Sequence, residues 1–316
     1  MYQQEKMTEA NIHPLDKSIP NPSVCTIILN FNNYTDTIET IESVFSLDYD
    51  SNSVILVENS TDERIINRIR SRFPLLKIIE NGKNLGYARG NNIGIHAALD
   101  DGAEYVFILN NDVILERDVL IKCINAVRMS PECAACQPLI AFFNAQEKIW
   151  SAGTQLFFGY PRLFSKGKPI VRDGITKPPF GLVGCAILFK ASALREVGLF
   201  DELLFLMHEE TDWCFRARHQ HFSLLVATNA IAYHKISTTL GLFSRDYLYY
   251  VGRNWLLVGR KNCHYIEYLY ILVTEITIRF PYYLYHLAGK GKTRWIKYYL
   301  WGIIDGLRGI SGEMDI

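Results

Sequence analysis

The chain of 316 residues is 49% hydrophobic and carries 33 Lys and Arg against 33 Asp and Glu. Such a chain can bury a substantial core, which excludes general disorder, and its balanced charge excludes recognition of nucleic acid through a whole-chain field. Seven cysteines, an odd number scattered among apolar neighbours, exclude a disulfide framework and point to free thiols in a reducing, cytoplasmic setting.

Residues 1–22 are polar and hold Pro14, Pro20 and Pro22, which reads as a flexible lead without the apolar core of a secretory signal. Residues 24–29 are a short apolar, β-rich run, and behind them Ile38, Ile41, Val44 and Leu47 share one helical face. The alternation repeats, with strands predicted at 54–57, 75–79 and 105–109 and helices near 63–72 and 87–99. This rhythm predicts an α/β fold on a doubly wound, mostly parallel sheet, whose ligands bind beyond the carboxyl ends of its strands. After about residue 140 the segments are punctuated by Gly and Pro, with a strand at 183–189 and an evident helix from Glu209. Residues 263–316 are aromatic and helical in pattern, with a break at Pro281. Glu267, Glu275 and Arg279 interrupt the apolar run there and argue against a bilayer-spanning helix.

Residues 105–112 read as a buried strand that ends abruptly in Asn110, Asn111 and Asp112. A carboxylate at that point can reach a divalent cation carrying a diphosphate, while Asn and Asp also favour turns and helix caps for local reasons alone. Asn84-Leu85-Gly86 with Gly90-Asn91-Asn92 opens a helix, where small residues let backbone approach a ligand and free N–H groups attract anions. Glu209, Glu210 and Asp212 fall in a first helical turn, where the macrodipole alone accounts for acids. Trp213 either stacks on a sugar face or packs in the core. Cys133 and Cys136 have redox spacing but no partner pair, and read as buried thiols.

Taken in order, the motifs resemble those of the inverting family 2 glycosyltransferases, especially the bacterial rhamnosyltransferase-like members, over residues 23–262. They are Ile27-Ile28-Leu29-Asn30-Phe31-Asn32, Val57-Glu58-Asn59-Ser60-Thr61-Asp62, Asn84 to Asn92 and Leu109-Asn110-Asn111-Asp112, then Val183-Gly184-Cys185-Ala186 and Val197-Gly198-Leu199-Phe200-Asp201-Glu202. Glu209-Glu210-Thr211-Asp212-Trp213, Tyr233-His234-Lys235, Tyr249-Tyr250 and Arg253-Asn254 complete the series. The resemblance implies the GT-A nucleotide-diphosphosugar transferase fold, with residues 263–316 as a C-terminal helical extension. It implies transfer of a sugar from a nucleotide-diphosphosugar, dTDP-rhamnose first and UDP-sugars behind it, to a saccharide or lipid-linked acceptor in cell-surface polysaccharide synthesis.

The same resemblance assigns residues to roles. Asn30 and Glu58 receive the base and ribose, and the family's usual residue at the second position is Asp. Asn84, Gly86, Arg89 and Asn91 form a nucleotide-facing loop, and Asn111 and Gly184 border the donor. Asp112 and His234 hold Mn²⁺ or Mg²⁺. Glu210 stands where the family places its catalytic Asp, with Glu209 or Asp212 sharing the work or setting the helix. Two other function classes fit paired carboxylates or the substituted base: glycoside hydrolysis, which needs no metal, and a catalytically silent nucleotide-sugar binder. Lys290, Lys292, Arg294 and Lys297 form a basic cluster that suits either docking on an anionic membrane surface, placing the chain peripherally at the inner face of the plasma membrane, or a solvated helix face.

Overall fold

The computed structural model describes residues 21–236 and 243–314. Most of the lead expected over residues 1–22 therefore lies outside the described residues.

Strand and helix alternate as the apolar periodicity dictates: β1 (Val24–Asn30), α1 (Tyr34–Phe45), β2 (Asn52–Glu58), α2 (Glu63–Arg72), β3 (Lys77–Glu80), α3 (Gly86–Asp100) and β4 (Tyr105–Asn110). These four strands are parallel neighbours in the order β4, β1, β2, β3. They are apolar on both sides because both sheet faces are covered. Ile28, Leu56 and Leu109 pack under α1 and α4 (Val119–Arg128), whereas Ile27, Ile55 and Ile108 pack against α3. Gly90 and Gly94 bring α3 onto β1, since a Cβ at either would stand 2.6 Å from Leu29 or Ile27.

The second half completes a ten-stranded sheet in mixed directions. After the short β5 (Val113–Leu115) come β6 (Cys133–Phe142), β7 (Ala145–Ser151), a separate hairpin of β8 (Thr154–Phe157) and β9 (Tyr160–Leu163), β10 (Ile175–Thr176) and β11 (Ala186–Lys190). Helices α5 (Ala191–Val197) and α6 (Glu209–His219) lead to β12 (Ser223–His234), which runs parallel to β6 and antiparallel to β5. Two predicted strands shift. β3 begins at Lys77 because Leu75 is 98% exposed in a turn closed by the Leu76 N–H on the Phe73 carbonyl. β11 begins at Ala186 because the Val183 N–H is taken by the Gln137 side chain at 2.8 Å.

Four helices close the chain: α7 (Arg245–Asn262), α8 (Tyr265–Thr274), α9 (Phe280–Gly289) and α10 (Ile296–Arg308). The expected break at Pro281 is instead a wide π turn, Glu275–Arg279, that leads straight into α9. Proline lacks a donor, and it sits in the first turn of α9, where that donor has least to do. The boundary expected after residue 262 coincides with the link between α7 and α8, yet packing runs across it. A Cβ on Gly302 would stand 2.2 Å from the Tyr249 carbonyl oxygen, and one on Gly306 2.8 Å from that of Arg253, so α10 crosses α7 backbone to backbone. Among the described residues no helix is long and apolar enough to cross a membrane. All seven cysteines are unpaired, and all but Cys263 are buried.

Candidate active site

Parallel register brings the strand ends to one edge: Asn30 pairs with Glu58 across β1 and β2, and Leu29 with Asn110 across β1 and β4. Asn30 and Glu58 are wholly buried and turned toward each other, the Asn30 Nδ2 donating to Glu58 Oε2 at 2.6 Å. Glu58 Oε1 accepts the Ser60 N–H, and Asn30 Oδ1 accepts from Thr37 Oγ1 and Asn111 Nδ2. Both side chains are thus committed to holding the loops, and neither lines the cavity in front of them. Asn59, one residue further, does line it, and donates to the Asn84 side chain and the Gly86 carbonyl.

The α3 entrance differs from a bare anion site. The Gly86 N–H donates to Asn84 Oδ1 and the Tyr87 N–H to the Phe205 carbonyl, so two of the helix's leading donors are already used. Gly86 has φ +79°, and the space of its missing Cβ is filled by Phe205. Asn91 is buried and donates to the Tyr87 carbonyl, while Arg89 pairs with Glu202 at 3.7 Å on the surface. Asn84 and Gly86 border the cavity; Asn91 and Arg89 do not.

Two cavities open beyond the strand ends. The first, about 460 Å³, is bordered by Phe31, Asn59, Asn84, Asn111 and Asp112; the second, about 750 Å³, by Trp150, Tyr160, Gly184, Glu209 and Glu210. Tyr87, Asn110, Leu206 and His234 belong to both and form the wall between them. The Tyr87 hydroxyl donates to the Gly184 carbonyl at 2.5 Å, tying α3 to the loop before β11.

Asp112 and His234 meet through the pairing of β12 with β5, which sets His234 opposite Val113. His234 Nε2 lies 3.2 Å from Asp112 Oδ1, both side chains are 9% exposed, and Trp150 holds the imidazole edge-on at 4.5 Å. His234 Nδ1 is buried with no hydrogen-bond partner. The Asp112 carboxylate and the His234 imidazole, whose buried Nδ1 lacks a partner, are an oxygen and nitrogen donor pair that suits Mn²⁺, while Mg²⁺ would favour the oxygen. Among the described residues no cluster of three or more His, Cys, Asp or Glu side chains surrounds one point.

The three acids of α6 separate. Asp212 is wholly buried and bound by Arg216 Nε at 2.8 Å, Asn262 Nδ2 at 2.8 Å and Lys261 Nζ at 3.1 Å, so it joins α6 to α7 and faces neither cavity wall. Glu209 is 2% exposed, and burial followed by the neighbouring Glu210 charge holds its carboxyl well above the usual range. Glu210 opens on the larger cavity beside Gly184. Burial pushes its carboxyl up to about 7, against the backbone N–H groups of Glu210, Thr211 and Gly184, which favour the charged form. Trp213 is core: it is 1% exposed, donates to the Gly198 carbonyl and meets Phe189 edge-on.

The segment ahead of α6 is held in an unusual shape. Phe205, Met207 and His208 all have positive φ, at a cost on the order of 1 kcal/mol each. Asn254 on α7 donates to the carbonyls of Leu204, Leu206 and Met207 within 2.9 Å, and its own Oδ1 accepts from Arg253 Nε. Arg253 reaches on to the carbonyls of Leu204 and Gly312. Sequence reasoning singled out this Arg-Asn pair but gave it no role. The available signal was two strongly polar residues in the middle of an apolar helical stretch.

The profile of the family described as Glycosyl transferase family 2 matches residues 25–198, more than half of the chain. The chain belongs to that family. As a family 2 glycosyltransferase it has the GT-A fold, with the C-terminal helices added. It is 22% identical to the dTDP-rhamnosyl transferase RfbF of Shigella flexneri, over 92% of this chain and 98% of that one. It is 24% identical to the low-salt glycan biosynthesis hexosyltransferase Agl10 of Haloferax volcanii, over 92% of each. Among solved structures, the mannosyltransferase PcManGT of Pyrobaculum calidifontis, in complex with GDP-Man and Mn²⁺, superposes with a TM-score of 0.60 at 14% identity, over 96% of this chain and 91% of that one. GalNAc-T7 with UDP, GalNAc and Mn²⁺ superposes with a TM-score of 0.62 at 14% identity; 76% of this glycosyltransferase spans 48% of that chain.

Proposed function

We propose that this glycosyltransferase moves a sugar, with inversion and in the presence of Mn²⁺ or Mg²⁺, from dTDP-rhamnose or a related nucleotide-diphosphosugar to a hydroxyl of a saccharide or lipid-linked acceptor in cell-surface polysaccharide synthesis. The observation that carries this reading is the placing of Asp112 and Glu210 on two cavities that share one wall. The smaller cavity takes the nucleotide, with Asn59, Asn84 and Asn111 as its polar contacts; Asn30 and Glu58 shape it from behind. Asp112 and His234 would hold a divalent cation, whose charge would offset that of the leaving diphosphate. The larger cavity takes the acceptor.

Glu210 removes the acceptor proton as the acceptor oxygen bonds to the anomeric carbon and the bond from that carbon to the diphosphate breaks. A carboxyl near 7 suits the task, because much of it is deprotonated at neutral pH while it still binds a proton well. Burial holds the Glu209 carboxyl well above the usual range, which disfavours a second charge beside Glu210. The 22% identity to a dTDP-rhamnosyl transferase supports the choice of donor, and the Mn²⁺ in the two structural relatives supports the metal.

The test is a thermal-shift screen of dTDP, UDP and GDP with and without Mn²⁺, followed by turnover of the sugar nucleotide that binds. A metal-dependent, dTDP-selective shift with chelator-sensitive turnover is expected. A UDP-selective shift would move the donor to a UDP-sugar, and turnover indifferent to chelator would sink the metal-dependent mechanism.

A further inference from the structure

Soluble surfaces carry single exposed apolar side chains, whereas a contiguous stripe marks a surface with a partner. Of twenty-two large apolar side chains exposed among the described residues, fifteen lie between Tyr265 and Ile310. They follow helical spacing: Ile266, Val273 and Ile276 along α8 and the π turn, and Trp301, Ile304 and Leu307 along α10, with Ile266 79% and Ile276 62% exposed. The opposite side of α8 is spoken for, since Ile271 and Thr274 are buried.

The apolar face continues to the rim of the larger cavity. The hairpin of β8 and β9 packs on α8, the Tyr270 ring standing 3.0 Å from where a Cβ on Gly159 would be, and its Phe157 is both 46% exposed and a lining residue of that cavity. Tyr282 of α9, 44% exposed, also lines it. Cations stand beside these rings. Arg162 lies 4.7 Å over Phe157, Lys297 5.2 Å over Trp301, and Lys292 4.3 Å over Trp295.

We infer that the face of α8–α10 docks on an anionic lipid bilayer and presents the larger cavity to an acceptor anchored in it. The charge decides between bilayer and second copy. Lys290, Lys292 and Arg294 lie in the link between α9 and α10 and Lys297 in the first turn of α10, and two such faces would repel each other, whereas anionic headgroups attract them. With no described helix able to cross a membrane, the face lies on the bilayer surface. The inference rests on the proposed reading only in taking the larger cavity as the acceptor side.

The experiment is flotation of the full chain with vesicles of phosphatidylglycerol and phosphatidylcholine in equal parts, beside vesicles of phosphatidylcholine alone. The chain is expected to float with the anionic vesicles and to be released by salt. Ile266→Glu with Ile276→Glu is expected to abolish flotation while keeping the melting temperature and the nucleotide shift. Lys290→Gln with Lys292→Gln should lower partition on the order of tenfold. Equal partition onto neutral vesicles, absence of flotation, or flotation unaffected by the Glu pair would overturn the inference. So would a dimer in sedimentation velocity that the Glu pair dissolves. A chain that floats but turns over no sugar nucleotide would refute the proposed function and leave the docking surface standing.

Discussion

Glu209 and Glu210 are consecutive residues at the start of α6 and both border the larger cavity, yet Glu209 is buried while Glu210 is half-buried beside Gly184. Backbone N–H groups of Glu209 and Met207 reach the Glu209 carboxyl but leave its buried Oε1 without a partner, whereas the Glu210 carboxyl receives those of Glu210, Thr211 and Gly184 and has the space beside Gly184.

This contrast separates the roles of the two acids. Glu210→Gln is expected to lower kcat by about 10²- to 10⁴-fold, the usual worth of a general base, with binding of the nucleotide intact. Glu209→Gln, isosteric with a protonated acid, should leave kcat within a few-fold. Steady-state kinetics on both variants checks this, and the reverse pattern would hand the base to Glu209.

The pH dependence follows from the same carboxyls. The base must be charged, so kcat/KM should rise with pH below about 7 and level off above it. Stability runs the other way. A raised carboxyl contributes stability that is complete below the ordinary carboxylate range and is lost as pH climbs through its raised value. Glu209→Gln removes that loss, so its melting temperature should overtake the parent's as pH increases above neutrality.

The strand and helix rhythm of residues 24–110 was legible because apolar spacing reports burial directly. Side-chain direction was not. Asn30 and Glu58 sit at strand ends, where a polar residue can face a ligand or a neighbouring loop, and only the pairing with Ser60, Thr37 and Asn111 decides for the loop. Asp112 and His234 lie 122 positions apart, and their approach depends on the antiparallel pairing of β12 with β5, which no local pattern encodes.

Asp112→Asn and His234→Ala are each expected to remove the Mn²⁺-dependent part of the dTDP thermal shift. At ligand about 100 times its Kd that shift corresponds to about 2.7 kcal/mol, several degrees for a chain of this size. A full metal-dependent shift in both variants would place the cation elsewhere.

Asn254→Leu keeps the volume but leaves the carbonyls of Leu204, Leu206 and Met207 without their donor. A loss of about 1–3 kcal/mol is expected by denaturant melts, with a fall in kcat larger than any change in nucleotide affinity, because the misplaced segment carries Glu210. Unchanged kcat in a folded variant would detach the clamp from the base.

The crossing of α7 and α10 gives a paired test of packing. Gly302→Ala forces a methyl against the Tyr249 carbonyl and should destabilise by about 1–3 kcal/mol, while Gly289→Ala meets nothing within 4 Å and should be neutral or mildly stabilising.

The Asn254 and Arg253 clamp also sets an order of events during synthesis. The helix that bears the base is made before α7, and the carbonyl of Gly312 that completes the Arg253 contacts is made only after α10. Chains arrested on the ribosome at residue 262 are expected to have the nucleotide-side sheet formed but the base loop unset, and so to show no turnover. Synthesis of α10 and the residues behind it, not of the motifs on the sheet, would then be the step that sets the base.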